Sequence, residues 1–83
     1  MKKRLYSIRD NKAGFFSPRE DINNDTAVRN FAYAINNNEL MMFRPSDYDL
    51  YFVGTFDEES AVLDPAVPAV FLASGGSMFN EKS

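Results

Sequence analysis

Cations and flat rings are interleaved at the start of this chain. Lys2, Lys3, Arg4, Arg9, Lys12 and Arg19 are threaded with Tyr6, Phe15 and Phe16, and Arg29 follows. An unpaired nucleic-acid strand is recognised by this combination. Cations neutralise phosphates, and rings stack on exposed bases for roughly 1–3 kcal/mol per base. Arg4 and Tyr6 share one face of an extended segment. Phe15 and Phe16 are adjacent, so in a strand one of them faces outward. The expected nucleic-acid-binding set is therefore Lys2, Lys3, Arg4, Tyr6, Arg9, Lys12, Phe15, Phe16, Arg19 and Arg29. The competing structural role is that Tyr6, Ile8 and one of the two Phe simply build the core of a small domain.

Other constellations are weaker. Asp57-Glu58-Glu59 offers carboxylate oxygens to a hard cation, but neighbours in a tight turn rarely converge on one ion, and a solvated hairpin tip accounts for them. Asp47 and Asp49, two apart, can point the same way from a strand, but no nucleophile or oxyanion motif accompanies them. Gly75-Gly76-Ser77 lacks the Lys and the spacing of a phosphate loop. With no Cys and no His in 83 residues, there is no thiolate, no Ser-His or Cys-His pair, no disulfide framework and no ordinary zinc, copper or haem site. A non-enzymatic domain with no cofactor and no metal is expected.

The elements that must position these residues follow from periodicity. Lys3 to Arg9 reads as a first strand, Asp10-Asn11-Lys12 as a turn, and Ala13 to Ser17 as a short second strand stopped by Pro18. Residues 18–24 read as polar loop. Asn24 or Asp25 caps a helix over about 25–36, in which Val28, Phe31, Ala32 and Ile35 recur at helical spacing. Asn36-Asn37-Asn38 ends it by accepting left-handed geometry. Glu39 to Phe43 reads as a short strand, and Pro45-Ser46-Asp47 as a turn or a single helical turn. Tyr48 to Phe56 is the strongest strand, with Tyr48, Leu50, Phe52, Gly54 and Phe56 on one face. Asp57 to Ser60 connects it to Ala61-Val62-Leu63, which pairs back. Pro65 and Pro68 then interrupt, Ala69 to Ala73 is ambiguous, and a flexible tail begins near 74 and runs to 83. These elements predict a single α+β domain over 1–83. Its small antiparallel sheet carries an N-terminal and a C-terminal hairpin, with one amphipathic helix packed on it.

Charge is unevenly spread. The net charge is −3, with residues 1–44 at +3 and residues 45–83 at −6. The two halves can complement each other within a monomer or across a dimer. Eight Phe and four Tyr are a heavy load for one small core, and domains of this size without disulfides or metals often gain stability by oligomerising. A homodimer or larger homo-oligomer is expected. No apolar run approaches the 18 or so residues of a spanning helix, and the basic start lacks the apolar stretch of a signal peptide, so neither membrane insertion nor secretion is expected.

Three segments in register carry a resemblance. Leu5-Tyr6-Ser7-Ile8-Arg9-Asp10-Asn11-Lys12-Ala13, followed by Phe15-Phe16-Ser17-Pro18, is the first. Asp25-Thr26-Ala27-Val28-Arg29-Asn30-Phe31 is the second, and Asp47-Tyr48-Asp49-Leu50-Tyr51-Phe52-Val53-Gly54-Thr55-Phe56-Asp57 the third. Together they resemble the small nonstructural protein of gokushovirus-type microviruses, which are single-stranded DNA phages. The resemblance runs from about residue 4 to residue 73. It implies a protein of the host bacterial cytoplasm, absent from the virion, that acts in single-stranded DNA synthesis and packaging. Single-stranded DNA and viral replication proteins are the implied partners. It brings no site residues with it, so the set above rests on chemistry alone. The alternative is a protein–protein adaptor that uses the 48–56 strand and the acidic hairpin to bind viral replication or assembly proteins, or host proteins.

Overall fold

The computed structural model describes residues 1–80. Three antiparallel strands form the backbone of the sheet: β1 (Lys2–Asp10), β4 (Tyr48–Asp57) and β5 (Leu63–Ser74). The outer edge of β1 is shared by two short strands, β2 (Gly14–Phe15) and β3 (Arg19–Asp21), giving the order β2-β1-β4-β5 with β3 beside β1. The α+β class and the antiparallel sheet carrying one main helix are as expected. The loop expected over 18–24 is in part a strand. Arg19, Glu20 and Asp21 pair with Tyr6, Leu5 and Arg4, because the backbone of β1 ahead of the first hairpin would otherwise lack a partner on that side.

Register decides the faces. Tyr6 pairs with Phe52, Ile8 with Leu50 and Asp10 with Tyr48, so these side chains share the face covered by helix. Leu5 pairs with Gly54 and Tyr6 with Phe52, which leaves Val53 as an extra residue on β4. Such a bulge shifts alternation by one. Tyr48, Leu50 and Phe52 therefore face the helix, whereas Gly54 and Phe56 do not, contrary to the unbroken alternation read from the sequence. Gly54 has φ +151, and a Cβ there would stand 2.5 Å from the Asp64 carbonyl oxygen. Only glycine lets β5 approach β4 this closely. Pro65 and Pro68 do not end β5. The strand continues through them but leaves the ladder, since Gly54 pairs with Pro65 and the next pair is Phe52 with Val70.

Helix α1 (Asn24–Asn37) is capped by Asn23, one residue before the expected cap. The Asn23 side chain accepts from the Thr26 N–H at 2.9 Å, and the Thr26 hydroxyl accepts from the Asn23 N–H at 3.2 Å. This reciprocal arrangement satisfies two free donors at once. Ala27, Phe31 and Ile35 are buried in a core with Tyr6, Met41, Tyr48, Leu50 and Ala73. Asn38 ends α1 in extended rather than left-handed backbone, because its side chain already caps the next helix, accepting from Leu40 and Met41. Glu39–Phe43 is accordingly a helix, α2, not a strand. A run of four apolar residues, Leu40 to Phe43, cannot be assigned by periodicity, and here the cap decides. Pro45–Asp47 is one turn of 3₁₀ helix.

Where the sequence suggested a tail, Gly75–Met78 forms a short helix, α3, with Met78 and Phe79 against the core. Gly75 is buried, and a Cβ there would collide with the Pro45 carbonyl and Ile35 Cδ1. The Asn36 amide donates to the Met78 carbonyl at 2.9 Å, and the Asn80 N–H donates to Asn36 Oδ1 at 2.7 Å. The rest of the expected tail, 81–83, lies outside the described residues. The charge halves meet along the β1–β4 ladder: Lys2 pairs with Asp57 and Arg9 with Asp49, and the N-terminal amine lies 3.8 Å from Asp57 and 3.9 Å from Glu59. No helix among the described residues is long and apolar enough to cross a membrane.

Candidate functional site

The sheet has two unlike faces. One is closed by α1 and α2. The other carries a row of aromatic rings across three strands: Phe15 on β2, Tyr51 on β4 and Phe71 on β5. Ring centroids lie 5.3 Å apart for Phe15–Tyr51 and 5.8 Å apart for Tyr51–Phe71, both edge to face. Register explains the row. Arg9 pairs with Phe15, Ser7 with Tyr51, and Tyr51 with Phe71, all of a parity opposite to Tyr6 and Ile8. Leu72 is an extra residue on β5 between the Leu50–Ala73 and Tyr51–Phe71 pairs, and it sets Phe71 beside Tyr51. Phe15 is 48% exposed and Phe71 54%. Phe15 and Phe71 are thus about half open to solvent, while each edge-to-face contact sets one ring's edge against its neighbour's face.

Arg9 sits over this row, its guanidinium carbon 5.1 Å from the Phe15 centroid, while its Nε donates to Asn11 Oδ1 at 3.2 Å. Asn11 in turn donates to Asp49 at 3.1 Å, which fixes the turn that carries Lys12. Lys12 is exposed, and its backbone N–H donates to the Asp10 carboxylate at 2.9 Å. Lys3 has the parity of Ser7 and Arg9 and so shares the open face, but it is paired to Glu20 at 3.7 Å. Ser7 is buried beneath the row, and its hydroxyl donates to the Phe16 carbonyl at 2.6 Å, tying the hairpin to β1.

The remaining residues of the sequence-derived set lie elsewhere. Tyr6 is 4% exposed, and its hydroxyl donates to Asn24 Oδ1 at 2.7 Å. It is a core residue and has no face free for a base. Arg4 joins the same knot. Its Nε donates to the Tyr6 hydroxyl at 2.8 Å, a terminal nitrogen donates to Asn24 at 3.0 Å, and its guanidinium lies 4.1 Å from the Phe52 centroid. Arg4 and Tyr6 do share a face, as expected, but that face holds the start of α1 against the sheet. Phe16 turns to the helix side, 6.3 Å from Tyr48. With Arg19 it borders a cleft of about 730 Å³ between α1 and the 16–21 segment, floored by Ile8, Phe31 and Met41. Arg29 is exposed on α1, and Lys2 at the start of β1. The ten residues thus do not form one groove. Phe15 and Arg9 meet, Lys12 is exposed on the turn between their strands, and Lys3 lies on the same face.

Tyr51 and Phe71 belong to the row but not to the set read from the sequence. Alternation within β4 already placed Tyr51 opposite the core. Phe71 had no such signal, because the prolines before it and the Leu72 bulge hide its register.

Two carboxylates are held below their ordinary pKa. The Thr26 hydroxyl at 2.6 Å is the main cause for Asp21, helped by the Ile22 N–H, the Asn30 amide and the nearby Arg29 charge, with partial burial opposing. The Glu59 N–H does the same for Asp57, with the N-terminal ammonium assisting. Burial, then the Asp10 and Asp47 charges, push the Tyr48 phenol above its ordinary value. None of these groups lies on the aromatic row, so their shifts belong to the fold.

No curated protein and no solved structure matches the chain. A family model does, over residues 3–78, which takes in every helix and, but for Lys2, every strand described above. On that match, the chain with this five-stranded sheet, capped helix and open aromatic face belongs to the Phage ORF5 protein family and is a phage protein.

Proposed function

We propose that this phage accessory protein binds single-stranded DNA on the open face of its sheet and catalyses no reaction. The observation that supports this most directly is the solvent-facing row Phe15–Tyr51–Phe71 with Arg9 over one end. Three rings in a row across the sheet offer a stacking platform to unpaired bases, and Arg9, with Lys12 on the turn beyond it, supplies charge for the attached phosphates. Bases in a duplex keep their faces stacked on each other, so the platform favours single strands. No cofactor takes part. The role follows the resemblance to the microvirus nonstructural protein: single-stranded DNA synthesis and packaging in the host cytoplasm, outside the virion, alongside viral replication proteins.

The adaptor reading has less support. β4, its proposed docking strand, is paired on both sides, by β1 and β5, and has no free edge for a partner. That leaves the acidic hairpin tip, where Asp57 is engaged by its own turn.

The test is a fluorescence anisotropy titration of a labelled single-stranded oligonucleotide, with the duplex of the same sequence as control. Single-strand-preferring binding that weakens in Tyr51→Ala and Phe71→Ala is the expected result. Absence of binding at low salt overturns the proposal and moves the adaptor reading to the front.

A further inference from the structure

A second apolar surface lies on the opposite side of the molecule from the aromatic row. At the junction of α1 and α2, Tyr33 is 69% exposed, Leu40 69% and Phe43 76%. Leu40 and Phe43 border a shallow hollow with Asn37. Tyr33 is one helical turn before Asn37, whose amide donates to the Tyr33 carbonyl at 2.8 Å, so Tyr33 stands one turn of α1 from the hollow that Leu40 and Phe43 border. At these exposures the three side chains offer roughly 400–500 Å² of apolar surface, since an aromatic side chain alone carries about 150–250 Å². Scattered single apolar residues need no explanation, but a contiguous patch does.

Charge around the patch selects its occupant. α2 reads Glu39-Leu40-Met41-Met42-Phe43 and is followed by Arg44. One end is acidic, the other basic, and the residues between are uncharged. Glu39 and Arg44 are both exposed, and neither forms a salt bridge among the described residues. A two-fold interface brings residue i against j and j against i. When two copies of α2 pack antiparallel, Glu39 of one therefore faces Arg44 of the other, twice, around a centre of Leu40 and Phe43. Parallel packing would instead set like charges side by side. We propose that this patch is a two-fold interface with a second copy of this chain.

The open edge of β5 is a poorer interface despite its uncharged sequence from Pro65 to Asn80. Pro65, Pro68 and two register shifts on β5 are the devices by which natural edges resist further pairing.

The consequence deepens the function proposed above and rests on it. α1 and α2 cover one side of the sheet and the aromatic row lies on the other. A dimer through α2 therefore leaves both rows free, facing away from each other, and one dimer can hold two stretches of single-stranded DNA. Two such patches bury about 800–1,000 Å² in all, below the range of stable specific interfaces, so the dimer is a weak one that forms and dissociates readily.

Sedimentation velocity without DNA, from micromolar to near-millimolar protein, tests the interface independently of any nucleic-acid binding. The wild-type chain should show a concentration-dependent dimer. Glu39→Arg, which sets like charges opposite Arg44, should raise the dimer Kd by about tenfold or more, and so should Arg44→Glu. The double variant Glu39→Arg/Arg44→Glu should restore it. Phe43→Ser, at a site too exposed to disturb the core, should abolish the dimer with an unchanged circular dichroism spectrum. A wild-type monomer at every concentration overturns the proposal, as does a dimer indifferent to these changes. If the dimer behaves as stated but no oligonucleotide binds, the interface stands and the DNA-binding reading falls.

Discussion

Tyr6 and Phe71 are both aromatic and have opposite duties. Tyr6→Phe removes the hydroxyl that links Arg4 to Asn24. That should cost about 1–2 kcal/mol of unfolding free energy, because two partners lose a part-buried hydrogen bond, with no change in oligonucleotide affinity. Phe71→Ala should act the other way: little loss of stability, and an affinity reduced by about 1–3 kcal/mol, the worth of one stacked base. Chemical denaturation and anisotropy on the same variants separate the two, and a Phe71→Ala chain that binds like wild type would remove the row from the site. The titratable residues predict the pH response. Asp21 and Asp57 have folded pKa values below their unfolded ones. Their stabilisation is present above the unfolded value near 3.9 and is lost as pH falls through the lower folded value. Tyr48 is raised, so its contribution is present below about pH 10 and lost as pH climbs past it. The urea midpoint should therefore drop at both extremes, and Asp21→Asn should flatten the acid limb. An acid limb unchanged in that variant would exclude Asp21 as a source.

The elements stand on their caps and on one central side chain. The Asn23–Thr26 box begins α1 and Asn38 begins α2. Asn23→Ala should cost about 1 kcal/mol, as cap removal usually does. Ile35 is fully buried and reaches Gly75 from α1. Ile35→Ala should cost about 2–5 kcal/mol, from lost transfer free energy and the cavity left behind. Thermal melts that place the Asn23 variant below the Ile35 variant would reverse this order and put the weight on capping rather than burial. The same elements show where local signals ran out. The period of Phe31 and Ile35 marks α1 in the bare sequence. Leu40 to Phe43 has no period, and its helical state follows from Asn38 serving as cap at one site instead of terminator at another.

At the scale of the whole molecule, the basic residues of the N-terminal half are divided between faces. Arg4 is used in the knot beneath α1, Lys3 is paired with Glu20, and Arg19 borders the cleft. Of the basic residues, Arg9 lies against the aromatic row and forms no salt bridge among the described residues, and Lys12 is exposed on the turn beyond it. The salt dependence should therefore be shallower than six or seven clustered cations would give. With about two to three phosphates neutralised, the log–log slope on single strands should lie near −1.5 to −2. A slope of about −4 would mean that Arg4, Arg19 and Arg29 also reach the strand, and that the bound path crosses the helix side rather than the open face. Either slope is read from one anisotropy series at increasing salt.

Composition and periodicity sufficed for the α+β class, the main helix, the long strand at 48–57 and a chemistry limited to carboxylates, cations and rings. These are local properties: side-chain spacing within one turn or one strand, and the residue types present. Tertiary pairing decided which rings are exposed. The bulge at Val53 and the extra Leu72 reset alternation in two neighbouring strands, and alternation is what aims a side chain at core or solvent. Pairing with Phe52, in register with Ile8–Leu50, committed Tyr6 to the core, and the extra Leu72 brought Phe71, whose register no local signal reveals, beside Tyr51. β3 and α3 likewise exist because β1 and the core present unpaired backbone and apolar surface to segments that carry almost no signal of their own.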